Sequence, residues 1–307
     1  EMGDWEKGFS EYEWGIKNEN RKERNYSSEL QVPDWQGTAG KSVVVYGEQG
    51  LGDEIMFATC LPDLANRVKV IFECHPRLIR LFRRSFPDMK VYATRKEPEI
   101  AWPQYEKIDS KLAIASVAKF YRKKDEDFPR IPYLVPDLSL VEKYRVKLQD
   151  FKRFKIGISW KGGTKKTRKD LRAIKLDKWL SILTQDADFF SLQYCEGAGE
   201  ILNAFREDTG IVIHHWQDMI DDYDETAGFI NNLDLIITVP QSIIHLAGAM
   251  DIPCWMMTPV KRSWQMGVPG KPYPWYSSIK KYEQKESGVW EPVIEEVAKD
   301  LKELLAV

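Results

Sequence analysis

Lys41-Ser42-Val43-Val44-Val45-Tyr46 runs straight into Gly47-Glu48-Gln49-Gly50-Leu51-Gly52-Asp53-Glu54, and the apolar positions Ile55, Met56, Ala58 and Leu61 follow. A β-branched run, a glycine-rich turn and an amphipathic segment, in that order, describe a buried parallel strand handing the chain to a helix. Glycines accept φ > 0 and carry no Cβ, so a ligand can approach such a loop closely. Ligands in open α/β sheets sit outside the carboxyl ends of the strands, which places Asp53 where chemistry is expected.

The pattern continues outward. Strands are expected at 42–46, 68–73, 90–93 and 108–110, with helices at 54–66, 76–85 and 114–120. Pro129, Pro132 and Pro136 then cluster around Tyr133 as an extended crossing. The second half repeats the alternation, with strands at 154–160, 188–192, 211–214, 233–239 and 254–257. Its helices are expected at 140–148, 176–183, 199–205, 224–231, 241–250 and 289–305. Strands alternating with helices give parallel α/β sheets, so two such domains with a cleft between them are expected. Before them, Trp5, Phe9, Tyr12 and Trp14 recur at helical spacing, and a charged stretch follows.

Composition narrows the class. The chain has 307 residues, 43% apolar and 30% charged, long enough for two cores. A net charge of −2 gives no electrostatic case for nucleic acid or membrane surfaces. Cys60, Cys74, Cys195 and Cys254 form no C-x-x-C pair, which argues against a zinc site or a disulfide framework and for a reducing, cytoplasmic setting. No apolar stretch approaches the roughly 20 residues of a membrane span, and no signal peptide is evident. A chain that opens on Glu1 reads as a piece of something longer.

Two further segments place polar groups at strand ends. In Leu233-Asp234-Leu235-Ile236-Ile237-Thr238-Val239-Pro240-Gln241-Ser242-Ile243-Ile244-His245, a strand ends and a helix starts. Ser242 and the first-turn N–H groups would make an anion site, with His245 one turn on; equally, Ser242 caps the helix and His245 packs. In Gly157-Ile158-Ser159-Trp160-Lys161-Gly162-Gly163, a strand runs into a basic loop extending to Arg172. Lys161 and Arg172 are the candidates for a phosphate there, while Lys165, Lys166 and Lys169 read as solvated.

Other motifs are missing. No Lys-Ser/Thr pair follows Gly52, as a P-loop needs, and the glycine spacing is wrong for a dinucleotide fingerprint. There is no G-x-S-x-G elbow. Asp222-Tyr223-Asp224 suits either a metal-binding carboxylate pair or a helix start.

With these pieces in place the chain resembles GT-B glycosyltransferases of the heptosyltransferase-like group. More closely, it resembles the glycosyltransferase domains at the C-terminal end of bacterial tetratricopeptide-repeat proteins. The matching pieces, in family order, are Gly50-Leu51-Gly52-Asp53, Gly157 to Gly162, Ser191-Leu192-Gln193, Asp234 to Val239 with His245 to Ala249, Pro274-Trp275-Tyr276, and Gln284 with Trp290. Gly3-Asp4-Trp5 through Trp14 is similar to a last repeat helix, implying upstream repeats. The resemblance implies a repeat remnant at 1–30, an acceptor domain at 31–137, a nucleotide-sugar donor domain at 138–288, and a helix at 289–307 that packs back on the first domain. Asp53 would be the general base, with Gly50, Leu51 and Gly52 as the acceptor loop. Lys161, Ser242 and the backbone of Ile243 and Ile244 would hold a diphosphate, with Arg172 and Gln241 also binding the donor. Gln193 and His245 would lie near the base or ribose, and Trp160, or the Trp255 and Trp264 neighbourhood, would stack the base.

The implied activity is metal-independent, inverting transfer of a hexosyl or heptosyl group from a nucleotide-diphosphate sugar, with no cofactor. The acceptor would be a glycan, a lipid-linked sugar or a protein. One departure stands out: heptosyltransferases usually carry Asp-Thr where this chain has Pro240-Gln241. That weakens ADP-heptose as donor and favours an alternative, a non-catalytic nucleotide-sugar-binding or protein-interaction module.

Overall fold

The computed structural model describes residues 3–17, 24, 26, 32–163 and 169–306. They divide into two compact units, Glu1–Pro129 with Tyr133–Val135, and Arg130–Pro132 with Pro136–Val307.

In the first unit α1 (Trp5–Tyr12) and α2 (Trp14–Lys17) precede β1 (Ser42–Tyr46). Then come α3 (Leu51–Ala58), α4 (Leu61–Ala65), β2 (Lys69–Glu73), α5 (Ile79–Ser85), β3 (Lys90–Tyr92), β4 (Ser110–Ala113) and α6 (Ile114–Tyr121). The sheet order is β3-β2-β1-β4, all parallel. β1 is buried along its whole length, which explains its continuous apolar reading.

Two expectations change. The single helix at 54–66 is broken into α3 and α4, because Pro62 in the first turn of α4 has no N–H to continue a helix from α3. The strand at 108–110 lies further on, at Ser110–Ala113, where it runs into α6 with Ala113 at the N-cap and no polar punctuation.

The second unit contains α7 (Leu138–Lys147), β5 (Phe154–Ser159), α8 (Leu180–Leu183), β6 (Ala187–Ser191), α9 (Ala198–Thr209) and β7 (Ile213–His214). It continues with α10 (Gln217–Asp221), α11 (Tyr223–Ile230), β8 (Leu235–Thr238), α12 (Ser242–Ala249), β9 (Cys254–Thr258), β10 (Ile279–Glu283) and α13 (Glu291–Leu305). Its parallel sheet runs β10-β9-β8-β5-β6-β7. Counted within the unit, this is the doubly wound order 3-2-1-4-5-6, whose direction reverses between β5 and β8. β10 escapes the sequence pattern because Lys280, Lys281 and Glu283 interrupt it, as charges commonly do on an edge strand.

Val293, Ile294, Val297 and Leu301 of α13 pack into one core with Ile156, Trp179, Leu183 and Tyr282, so α13 is built into the core of the second unit. Its hydrophobic stripe falls on one helical face and is used on the nearest sheet.

Candidate active site

In the first unit the chemistry gathers at the carboxyl edge of the sheet. Gly47 leaves β1 with its N–H bonded to the Glu73 carbonyl at 3.0 Å. None of Gly47, Gly50 and Gly52 uses φ > 0, contrary to the expectation from the glycines' freedom. At Gly47 and Gly50 the requirement is space. A Cβ on Gly47 would lie 1.9 Å from Oε1 of Glu54. Glu54 is fully buried, accepts from the His75 N–H at 2.9 Å and pairs with the Arg95 guanidinium. Burial pushes its carboxyl up to about 7, against the opposing pull of Arg95 and the His75 N–H. Burial also holds the His75 imidazole down to about 4, helped by Lys96, Arg95 and Arg77.

Asp53 is half-buried, and its Oδ2 accepts from the Gly50 N–H at 2.9 Å, closing the first turn of α3. It therefore has a structural task whatever its chemical one. Leu51 and Gly52 form the first turn of α3 beside it. Behind them Glu73, also fully buried, accepts from Arg24 at 2.9 Å, from Tyr26 at 2.6 Å and from Thr94 at 2.7 Å. Sequence reasoning missed Glu54 and Arg95. A carboxylate directly heading the apolar run Ile55-Met56-Phe57-Ala58 was the signal for the first; nothing marked the second.

In the second unit the switch point between β5 and β8 brings Trp160, Lys161, Gly162, Arg172, Pro240, Gln241 and Ser242 together. A Cβ on Gly162 would lie 2.6 Å from Cβ of Gln241 and 2.7 Å from the Pro240 carbonyl oxygen, so the two strand-end turns touch. Arg172 Nη1 donates to the same carbonyl at 3.2 Å and so buttresses the turn. Lys161 is half-buried, and its ammonium has no ion pair or hydrogen bond among the described residues. Residues 164–168 of the basic loop, with Lys165 and Lys166, lie outside the described residues.

α12 starts with Gln241 at the N-cap in extended geometry and without a side-chain cap; the Gln241 amide donates to Thr238 Oγ1 at 3.2 Å instead. Ser242 thus stands at the first helical position, not the cap. Its Oγ accepts from the Tyr223 hydroxyl, which leaves its own proton to donate. The Ile243 and Ile244 side chains are buried, and the Ile244 N–H bonds to the Gln241 carbonyl at 3.2 Å. The dipole of α12 still favours an anion at this end.

Two expected ligand contacts, at Gln193 and Trp160, are corrected. Gln193 is buried, and its Oε1 accepts from the Trp160 and Lys161 N–H groups at 3.1 and 2.9 Å while its Nε2 donates to the Lys161 carbonyl at 2.8 Å. It clips the turn that carries Lys161, with both amide atoms engaged there. Trp160 is only 5% exposed and belongs to the core, so it offers no face for stacking. Trp255 packs against that core and the Tyr282 ring, and Trp264 meets Trp275 edge-on.

His245 is buried as well, its ring 6.0 Å from that of Tyr276 and its Nδ1 without a hydrogen-bond partner among the described residues. The cause is Gly248 one turn on, where a Cβ would lie 2.2 Å from Tyr276, so α12 presses directly on that ring. Burial holds the imidazole down to about 4. Its charge is then absent in the folded state while the unfolded chain takes up a proton below about pH 6.5. The contribution of His245 to stability is therefore expected to fall as pH drops from about 6.5 towards 4. A histidine NMR titration should find the ring neutral at pH 5; a midpoint above 6 would put it in contact with solvent.

A groove of about 640 Å³ opens at the carboxyl ends of β6 and β7, lined by Tyr194, Glu196, Glu200, Asn203, His215 and Gln217, among others. Asp222 accepts from the Asp224 N–H at 2.8 Å, which decides for the helix start over the metal pair. Among the described residues no group of three or more His, Cys, Asp and Glu is placed to hold a metal ion. Among the described residues no helix is long and apolar enough to cross a membrane.

No protein-family model matches the chain. Protein FlbA of Caulobacter vibrioides is 31% identical over 302 residues, 90% of this chain and 50% of FlbA. The chain thus spans half the length of that relative. Among solved structures, ADP-heptose lps heptosyltransferase II of E. coli superposes with a TM-score of 0.58 at 12% identity, covering 86% of this chain and 98% of that one. A glycosyl transferase family 9 structure from Veillonella parvula gives 0.59 at 12% identity, over 94% and 99%. E. coli heptosyltransferase WaaC with ADP gives 0.55 at 11% identity, over 85% and 99%. The fold is GT-B. At such identities these structures establish architecture alone.

Proposed function

We propose that the chain is a metal-independent, inverting glycosyltransferase that moves a sugar from a nucleotide-diphosphate donor to a hydroxyl. One observation carries this. At the switch point of the second sheet, in a GT-B fold, the turn that carries Lys161 touches the Pro240-Gln241 turn that leads into Ser242 and the start of α12. A cation and N–H donors there would offset the charge that develops on a departing diphosphate. Asp53, at the carboxyl edge of the first sheet, would take the proton from the acceptor hydroxyl as it attacks the anomeric carbon, and attack opposite the leaving group inverts that centre. The Tyr194–His215 groove suits the nucleoside, its acidic side chains accepting from ribose hydroxyls. A hexosyl or heptosyl group, a glycan, lipid-linked or protein acceptor, upstream tetratricopeptide repeats and a cytoplasmic setting belong to the same proposal. The free thiols of Cys60, Cys74, Cys195 and Cys254 favour the last.

Calorimetry with nucleoside diphosphates tests it. Lys161→Ala is expected to weaken binding by about 1.5–3 kcal/mol, the worth of a charge-assisted hydrogen bond. Unchanged affinity would take Lys161 out of the site. Pro240-Gln241 favours a second reading, a module that binds without turning over, since the carboxylate and the hydroxyl of a heptosyltransferase-type Asp-Thr are missing. Diphosphate binding without hydrolysis across a panel of nucleotide sugars would select it.

A further inference from the structure

We infer that helix α1 is a working part of the Asp53 site, and that Tyr12 is a positioning residue for the Gly47–Gly52 turn, acting through Gln49. The inference rests on the role proposed for Asp53, but its geometry does not. At the tip of the turn, Gln49 makes no backbone hydrogen bond among the described residues and is held by its side chain. Its Oε1 accepts from the Tyr12 hydroxyl at 2.6 Å, and its Nε2 donates to Oε1 of Glu48 at 3.3 Å. Glu48 is itself buried, and its charge bears on Glu54. A chain of polar groups thus leads from α1 through Gln49 and Glu48 to the carboxylate on which Gly47 closes.

Tyr12 is a firm point from which to hold the turn. Trp5, Phe9 and Tyr12 stand at i, i+4 and i+7 and share one face of α1. The Trp5 ring lies 4.9 Å from that of Phe128, and its Nε1 donates to Asp125 at 2.6 Å. Glu13, just past α1, accepts from Ser116 Oγ of α6 at 2.7 Å. The Tyr12 ring rests 6.4 Å from Phe57 of α3. The first residues of the stripe therefore dock the helix, and the last reaches the turn next to Asp53. Whatever shifts α1 would release the loop that carries the proposed base.

Hydrogen exchange by mass spectrometry on the whole chain decides it, comparing wild type with Tyr12→Phe, Gln49→Ala and the double variant. Phenylalanine keeps the packing on Phe57 and removes only the hydroxyl. Amides of 48–52 are expected to exchange about fivefold faster in each single variant, the worth of one hydrogen bond. The double variant should be no faster, because both changes cut the same link. Donor affinity should hold while kcat for donor hydrolysis falls. Wild-type exchange over 48–52 in Tyr12→Phe, or equal loss of protection throughout α1 and α6, would overturn the inference. A wild-type protein with no hydrolysis would count against the glycosyltransferase proposal, and the exchange data would still decide the tie.

Discussion

Asp53→Asn is expected to lower sugar transfer, or donor hydrolysis, by about 10²–10⁴-fold, the usual contribution of a positioned general base. The melting temperature should barely move. Asparagine retains an oxygen that can accept from the Gly50 N–H, so the bond seen at 2.9 Å survives while the proton acceptor is lost. Asp53→Ala removes both and should cost about 1 kcal/mol of stability besides, as lost caps do. The pair of variants separates the two tasks of this side chain. Equal rates in wild type and Asp53→Asn would reduce Asp53 to a helix cap and move the search for a base elsewhere on the same edge.

Gly47→Ala should destabilise the first unit by about 3–5 kcal/mol, the cost of breaking a buried ion pair. The new methyl would lie 1.9 Å from Oε1 and 2.4 Å from Cδ of Glu54. That carboxylate has nowhere to go: it is fully buried and held by both Arg95 and the His75 N–H. Urea unfolding measures the loss. The decisive comparison is Gly47→Ala in a Glu54→Ala background, where the obstacle is absent and the further cost should drop below about 1 kcal/mol. A cost that stays the same in both backgrounds would refute the clash and return the glycine to a conformational role.

Much of this was legible in the sequence, for identifiable reasons. Val43–Val45 and Ile236–Ile237 are strands buried on both faces, so their apolar runs could be recognised without knowing a single contact. Strand ends at Gly47–Gly52, Trp160–Gly163 and Val239–Ser242 were marked by local chemistry, and with them the positions of Asp53, Lys161 and Ser242. Failures came where a residue's task depends on a neighbour distant in the chain. Gln193 read as a ligand contact until its amide was found closing the turn at Lys161, 32 positions away. His245 and Trp160 carry the same functional groups whether they face a ligand or a core, and only packing tells which.

The amino-acid order alone therefore determined two α/β units and the strand ends at which chemistry can occur, since periodicity and turn preference are local properties. Tertiary structure decided what those ends are made of. Gly47, expected to serve backbone freedom, serves instead to admit the Glu54 carboxylate, and the terminal helix is built into the core of the second unit. Burial and close approach are set by residues remote in sequence, and for that reason no local pattern announces them.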